Sequence, residues 1–458
     1  MREESALTPF NGRFRLLGRD GAELEASDAV FEPGPEALLV QPQAGAPLRV
    51  EFADVDGLAS ADYVSTLVLE SGERIEASML GRRFGEYADA LGASLRDYQA
   101  KNLLLEEPSG GESFTCDFEG DGEAGAAEVR VYATSLALIA REQTPFSVPF
   151  GEVRSISFDD ARYAIDLETG AGRLSLLRLG KRSEPCRRLI ESRLAELRKR
   201  TAEALAFLVP GLPTLGARRL AQALPDGVPA QRAQLDAISP EVWPTLVESA
   251  VGDPKLREAF EALAALCPAE QIAAGIKETN ARQDVEGEEE PEEPEQADAV
   301  GPKGAAHEEE PEEAQGGEAE ENPMTGRVVW FLFPIISQER SKPGNAIAVE
   351  VASRQGRATY LFRIAPPEVY REASWEELQS LARDRIGSVS RALVALTFKR
   401  EPIFLSDEKL RSERYARYRL AMRLSAPLKA ARATFVGRAV HGTAWRKQLE
   451  QALARANS

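Results

Sequence analysis

The side chains that most often carry chemistry are scarce in this chain. Its two histidines, His307 and His441, and its three cysteines, Cys116, Cys186 and Cys267, are far apart in sequence. That spacing argues against a zinc site, a disulfide framework or a paired-thiol redox centre. No glycine-rich phosphate loop, dinucleotide fingerprint, G-x-S-x-G elbow or H-E-x-x-H pair occurs. Carboxylates are plentiful, but adjacent acids such as Asp159 and Asp160 fall where a turn is expected. General acid–base work needs a buried pair whose pKa values are pushed apart. The expectation is a protein that is not an enzyme and has no cofactor or metal.

Cations are the other candidate chemistry. Arg82-Arg83 and Lys181-Arg182 are two basic pairs about a hundred residues apart. Arg411, Arg414, Arg417, Arg419 and Arg423 open a basic stretch interleaved with Tyr415, Tyr418, Phe435 and Trp445. Such a stretch, over residues 410–447, is an electrostatic footprint for nucleic acid or an acidic protein surface. The charge is unevenly spread. The chain as a whole carries −18, yet Met324 to Ser458 holds 24 Lys/Arg against 12 Asp/Glu. Between Gln283 and Pro323 lie 17 acidic residues and one lysine, Lys303, with few apolar side chains. That composition cannot bury enough surface to offset chain entropy, so residues 282–323 read as a disordered acidic linker.

The elements that would position these groups begin with a repeat. Pro47-Leu48-Arg49-Val50-Glu51-Phe52-Ala53-Asp54-Val55 aligns with Pro145-Phe146-Ser147-Val148-Pro149-Phe150-Gly151-Glu152-Val153 at an offset of 98, and both alternate as half-buried strands do. Each copy runs on through a glycine turn to its basic pair. There the apolar period changes from two to 3.6, with Phe84, Tyr87, Leu91 and Leu95 in the first copy and Cys186, Ile190, Leu194 and Leu197 in the second. Each unit is thus a set of strands closed by one amphipathic helix.

A unit of this length with about seven short strands and one C-terminal helix resembles the pleckstrin-homology-like (PH-like) fold. The resemblance covers residues 1 to about 205, as unit 1 (1–107) and unit 2 (108–205). It implies binding of inositol phosphates through the first hairpin, or of peptides along a sheet edge. Unit 1 offers Arg13, Arg15 and Arg19 there, whereas the matching stretch of unit 2 carries Glu112, Asp117, Glu119, Asp121 and Glu123, which would repel an anionic headgroup.

Residues 206–281 read as a small all-α module. Ser239-Pro240 and Asp253-Pro254 are helix starts, and Val209 to Leu220 resembles a degenerate helix-hairpin-helix in which Pro213 stands where a second glycine would donate its N–H to phosphate. Residues 324–458 read as a basic α+β domain. Its expected strands are Val328–Phe333, Ala346–Val351 and Ala358–Ile364, followed by a helix that Ser374 and Glu377 cap and by helical sequence from Leu410 onward. The fold class is therefore multidomain α+β.

The expected function is a non-enzymatic cytoplasmic adaptor that binds protein partners through tandem PH-like units. The alternatives are nucleic-acid association through the basic domain and anionic-lipid binding by unit 1. Membrane insertion is not expected, because the most apolar run, Val328 to Ile336, is about half a bilayer span. If the repeat is real, Phe52 and Phe150 occupy equivalent inward sites. Truncating either to alanine should then lower stability by about 3 to 5 kcal/mol, read from equilibrium denaturation.

Overall fold

The computed structural model describes residues 9–105, 111–140, 143–279, 323–337, 343–352 and 358–458. The linker read at 282–323 lies outside the described residues except for Pro323.

Unit 1 consists of β1 (Phe10–Leu17), β2 (Glu23–Pro33), β3 (Ala37–Pro42), β4 (Leu48–Glu51), β5 (Val55–Ala61), β6 (Val64–Leu69), β7 (Arg74–Ser78) and α1 (Phe84–Asn102). Its strands form one antiparallel sheet in the order β4-β3-β2-β1-β7-β6-β5. Unit 2 repeats this order with β8 (Glu112–Gly120), β9 (Glu123–Val131), β10 (Ser135–Ala140), β11 (Phe146–Pro149), β12 (Val153–Asp159), β13 (Ala164–Thr169), β14 (Arg173–Leu177) and α2 (Ser183–Leu208). Two sheets of this kind, each followed by one helix, are compatible with PH-like units. Both cores are built from the side chains that alternation placed inward. Phe52 and Phe150 are each fully buried at the start of a short 3-10 turn after the fourth strand. Tyr87, Leu91 and Leu95 of α1 close the first core, and Cys186, Ile190, Leu194 and Leu197 of α2 the second.

An ion cluster centred on the buried Arg130 joins the two units. Arg130 of β9 donates to Asp97 of α1 at 2.6 Å and to Glu128 at 2.6 Å, while Arg96 of α1 lies 3.5 Å from Glu128. The second helix overruns the expected boundary at 205. Its last turn places Ala204, Leu205 and Leu208 in the core of the next body, making it a continuous strut between them.

That next body departs from the sequence reading. Residues 206–281 do contain helices α3 (Thr214–Ala223), α4 (Arg232–Asp236), α5 (Val242–Ala250) and α6 (Pro254–Ala264), but they also supply strands β15 (Ala230–Gln231) and β16 (Ala273–Glu278). Both belong to the sheet of the C-terminal region, ordered β15-β16-β17-β18-β19-β20, with β17 (Arg327–Ile335), β18 (Ala346–Ala352), β19 (Ala358–Arg363) and β20 (Phe435–Val440). Glu278 pairs with Arg327 and Ala273 with Leu332, so the segments read as a separate all-α module and a separate basic domain share one sheet. The strand β20 also interrupts the run expected to be helical from Leu410 onward.

The apolar run from Val328 lacks alternation because both faces of β17 are covered. Val329, Phe331 and Phe333 pack on one side against α3, α5, α6 and α13 (Trp445–Asn457), and Trp330 and Leu332 lie on the other in a core with α7 (Pro367–Glu372), α8 (Trp375–Ala395) and α9 (Glu401–Phe404). Local signals behave as expected. Asp253 accepts from Lys255 N and Leu256 N to cap α6, and Ser374 and Glu377 form the capping box of α8. Ser239-Pro240 instead forms a turn two residues ahead of α5.

Unit 2 docks on this body through its 3-10 turn. A Cβ at Gly151 would lie 1.7 Å from the carbonyl oxygen of Asp226, backbone against backbone. Unit 1 carries Ala53 at the equivalent position. Gly151→Ala should therefore separate unit 2 from the body, detected as faster amide exchange along the last turns of α2, while Ala53→Gly leaves exchange there unchanged.

Candidate interaction surfaces

The matched basic pairs divide into one pinned and one free member. In unit 1 Arg83 donates to Glu86 at 3.1 Å and to the carbonyl of Pro9 at 2.9 Å, with its guanidinium 4.2 Å from the ring centroid of Phe10. In unit 2 Arg182 lies 3.6 Å from Glu112 and 4.2 Å from the centroid of Phe114. Both latch the first strand of their unit to the turn before its helix. Arg82 and Lys181 are exposed and have no ion pair among the described residues. At the first hairpin of unit 1, Arg15 is paired with Glu23 at 2.9 Å and Glu76 at 3.0 Å, and Arg19 donates to the carbonyl of Ser71.

The arginines of the basic stretch are used within the chain. Arg419 and Arg423 stand one turn apart on α11 (Ala416–Leu424), which packs on α1 and on the 3-10 turn of unit 1. Arg419 reaches Asp54 at 2.5 Å and Glu70 at 3.4 Å. Arg423 pairs with Asp56 and donates to the carbonyl of Ala53 at 2.6 Å. Thus each unit is held by the same turn, the first through charge and the second through backbone contact. Arg414 lies over the ring of its neighbour Tyr415, Arg417 is half-buried, and Arg411 is exposed.

Behind this junction is a cleft of about 350 Å³, lined by Arg411, Arg419, Arg423, Lys429 and Arg432 with Glu70 and Asp407. A second, more apolar cleft of about 530 Å³ lies between α6, the end of β17 and α13.

Sequence reasoning missed one polar cluster because its members are 91 residues apart. Glu350 is fully buried on β18, with His441 Nε2 3.2 Å from its Oε2. Thr359 donates to the same carboxylate, and Trp445 Nε1 donates to Thr359 Oγ1 at 2.7 Å. The threonine hydroxyl bonds the carboxylate and not the imidazole, so this is no nucleophile–base arrangement. Burial pushes the thiols of Cys116, Cys186 and Cys267 up to about 12, leaving them un-ionised at neutral pH. Among the described residues no group of three metal-ligating side chains occurs, and no helix is long and apolar enough to cross a membrane.

No family model matches the chain, and no curated protein matches it. Among solved structures it is similar to the C-terminal domain of an unknown protein from Leishmania infantum, at 17% identity over 19% of this chain and 87% of that one, with a TM-score of 0.17. It is also similar to a chain of the Spt16D Pob3N heterodimer, at 13% identity over 36% of this chain and 83% of that one, with a TM-score of 0.15. Overlaps this small carry no inference about function.

One other surface is repeated. The two-residue turn between β5 and β6 holds Asp62 and Tyr63 at φ of 51° and 61°, and Met79, beyond the end of β7, is at 55°. The β6–β7 register extended outward sets Tyr63 opposite Met79, and that of β13–β14 sets Tyr163 opposite Arg178. Tyr163 and Arg178 also have positive φ. Tyr63, Met79 and Tyr163 are 73%, 74% and 70% exposed.

The ion cluster between the units titrates. Burial alone would raise the Glu128 carboxyl, but hydrogen bonds from Arg130 and Ser113 and the charge of Arg96 hold it below the ordinary glutamate range. Its contribution is therefore complete above the unfolded-state value and is lost as pH falls through the lower folded value. Denaturant midpoints measured on acidification should fall more steeply for the native chain than for Glu128→Gln. Arg130→Ala should cost about 2 kcal/mol at neutral pH, since it removes the charged donor that joins Glu128 to Asp97 and leaves Glu128 only Ser113 and Arg96.

Proposed function

We propose that the chain is a non-enzymatic adaptor whose first two units are PH-like domains, and that unit 1 binds a protein partner through Tyr63 and Met79. The observation that carries this reading is the combination of strain and exposure at those two residues. Non-glycine residues in left-handed backbone cost on the order of 1 kcal/mol each, and Asn-Gly is the usual answer in a two-residue hairpin turn. Here the strained turn holds an aromatic ring out in water, 5.5 Å from the ring of Phe84, with a methionine across from it. Tyrosine and methionine are enriched at protein interfaces because each presents a large adaptable apolar surface. In unit 2 the same corner carries Tyr163 beside Arg178, which is paired with Asp117 at 2.8 Å, so the two corners would select different partners.

Two features weigh against the alternatives. Arg419 and Arg423 are engaged by the carboxylates of unit 1, which removes them from a nucleic-acid face. Arg15 and Arg19 are likewise engaged within unit 1, which weakens the case for an anionic lipid headgroup there.

Tyr63→Ser combined with Met79→Ser should leave the melting temperature unchanged or slightly raised, while partner recovery from an extract of the source cells, quantified by mass spectrometry, falls about tenfold or more. Identical recovery by the native and doubly substituted chains would refute the reading.

A further inference from the structure

The cleft between unit 1 and the C-terminal body contains an excess of positive charge that the chain does not neutralise. Four of its cations come from two helices at helical spacing: Arg419 and Arg423 from α11, and Lys429 and Arg432 from α12 (Ala426–Thr434). The fifth, Arg411, stands at the end of α10 (Asp407–Leu410). Leu410 and Met422, both nearly inaccessible to water, line the same cleft.

These cations differ in how they are matched. Arg432 pairs with Asp407 at 3.0 Å and donates to the carbonyl of Leu405 at 2.9 Å. Arg419 and the terminal nitrogens of Arg423 are taken by Asp54, Asp56, Glu70 and the carbonyl of Ala53. Arg423 Nε is buried and makes no hydrogen bond, with Glu70 Oε2 at 3.7 Å. Arg411 and Lys429 have no carboxylate within ion-pair distance among the described residues, and both are exposed. Like charges gathered around one cleft repel unless an anion joins them.

We infer that this cleft binds a small soluble anion bearing two or more phosphate groups, with Arg411 and Lys429 as its principal ligands and Arg432 beside them. Multiple phosphates match the chemistry because several separate cations face one volume, and guanidinium groups bind phosphate through paired donors. The size is that of a small-molecule site. A long polyanion fits poorly, since Asp54, Asp56 and Glu70 stand along the unit 1 side and would repel its continuing backbone. Because the cleft is formed across the junction, a bound anion also holds α11 in the position that grips unit 1. This inference does not depend on the adaptor reading, which rests on another surface.

The test is calorimetric titration of the full-length chain with inorganic pyrophosphate at low ionic strength. Parallel titrations use orthophosphate, a twenty-nucleotide single-stranded DNA, and vesicles containing phosphatidylinositol bisphosphate. Pyrophosphate should bind saturably at one site and more tightly than orthophosphate. Arg411→Ala with Lys429→Ala should weaken it about tenfold or more, Lys429→Arg should retain binding, and Lys447→Ala, elsewhere in the basic stretch, should change nothing. Should the double variant melt early, Lys429→Gln alone, an exposed change on α12, serves instead. Absence of saturable binding, or equal binding by the substituted chain, overturns the inference. DNA binding tighter than pyrophosphate and weakened by Arg414→Ala and Arg438→Ala would assign the charge to nucleic acid. Binding to vesicles without binding to soluble pyrophosphate would assign it to a membrane surface.

Discussion

Asp226, 3% exposed, is the charge on which the assembly of this chain turns. Its carboxylate accepts from Lys277 Nζ at 2.7 Å and from the backbone N–H of Glu278 at 2.7 Å, and Arg327 Nη1 stands 4.0 Å away. Arg327 also reaches Glu278 at 2.7 Å, and Arg200 on α2 reaches the same Glu278 at 2.9 Å. One cluster, buried at Asp226, Lys277 and Arg327, therefore ties together the loop before β15, the neighbouring strands β16 and β17, and the strut helix from unit 2. A buried charge with all its partners in place is tolerable, whereas a partner removed leaves an ion with neither water nor counter-charge. The cluster thereby selects one register for β16 on β17. The carbonyl of Asp226 is also what makes glycine obligatory at position 151.

The two β units share a strand order and a helix, yet they are held to the rest of the chain by different physics. Unit 2 is fixed by backbone contact at Gly151, by Arg200 of α2 on Glu278, and by a continuous helix. Unit 1 is fixed by Arg419 and Arg423 on carboxylates that are about two-fifths exposed. Attraction between partly exposed charges is screened by salt, whereas close-packed backbone is not. The hold of the first unit on α11 is thus the more salt-sensitive of the two.

Much of this was legible in the sequence where the signal was local. The repeat, the inward sites of Phe52 and Phe150, the two closing helices, the N-cap at Asp253 and the capping box at Ser374 all follow from periodicity or from side chains a few residues apart. Strands β17 to β19 were legible because a short apolar run bounded by turn residues has few other solutions. What could not be read depends on partners distant in sequence. Strand β16 opens on three small residues, Ala273 to Gly275, and its identity as a strand comes from β17, nearly fifty residues on. Strand β20 lies in a basic, aromatic stretch whose helical spacing was the stronger local pattern. The basic residues were visible as a group, but their division into those spent on Asp54, Asp56 and Glu70 and those left in the cleft was set by contacts some 350 residues away.

The pairing of Glu278 with Arg327 means that the chain leaves the sheet and re-enters it at adjacent positions. The segments on either side of the acidic stretch are therefore neighbours in one antiparallel sheet, and neither can be removed without opening the other's edge.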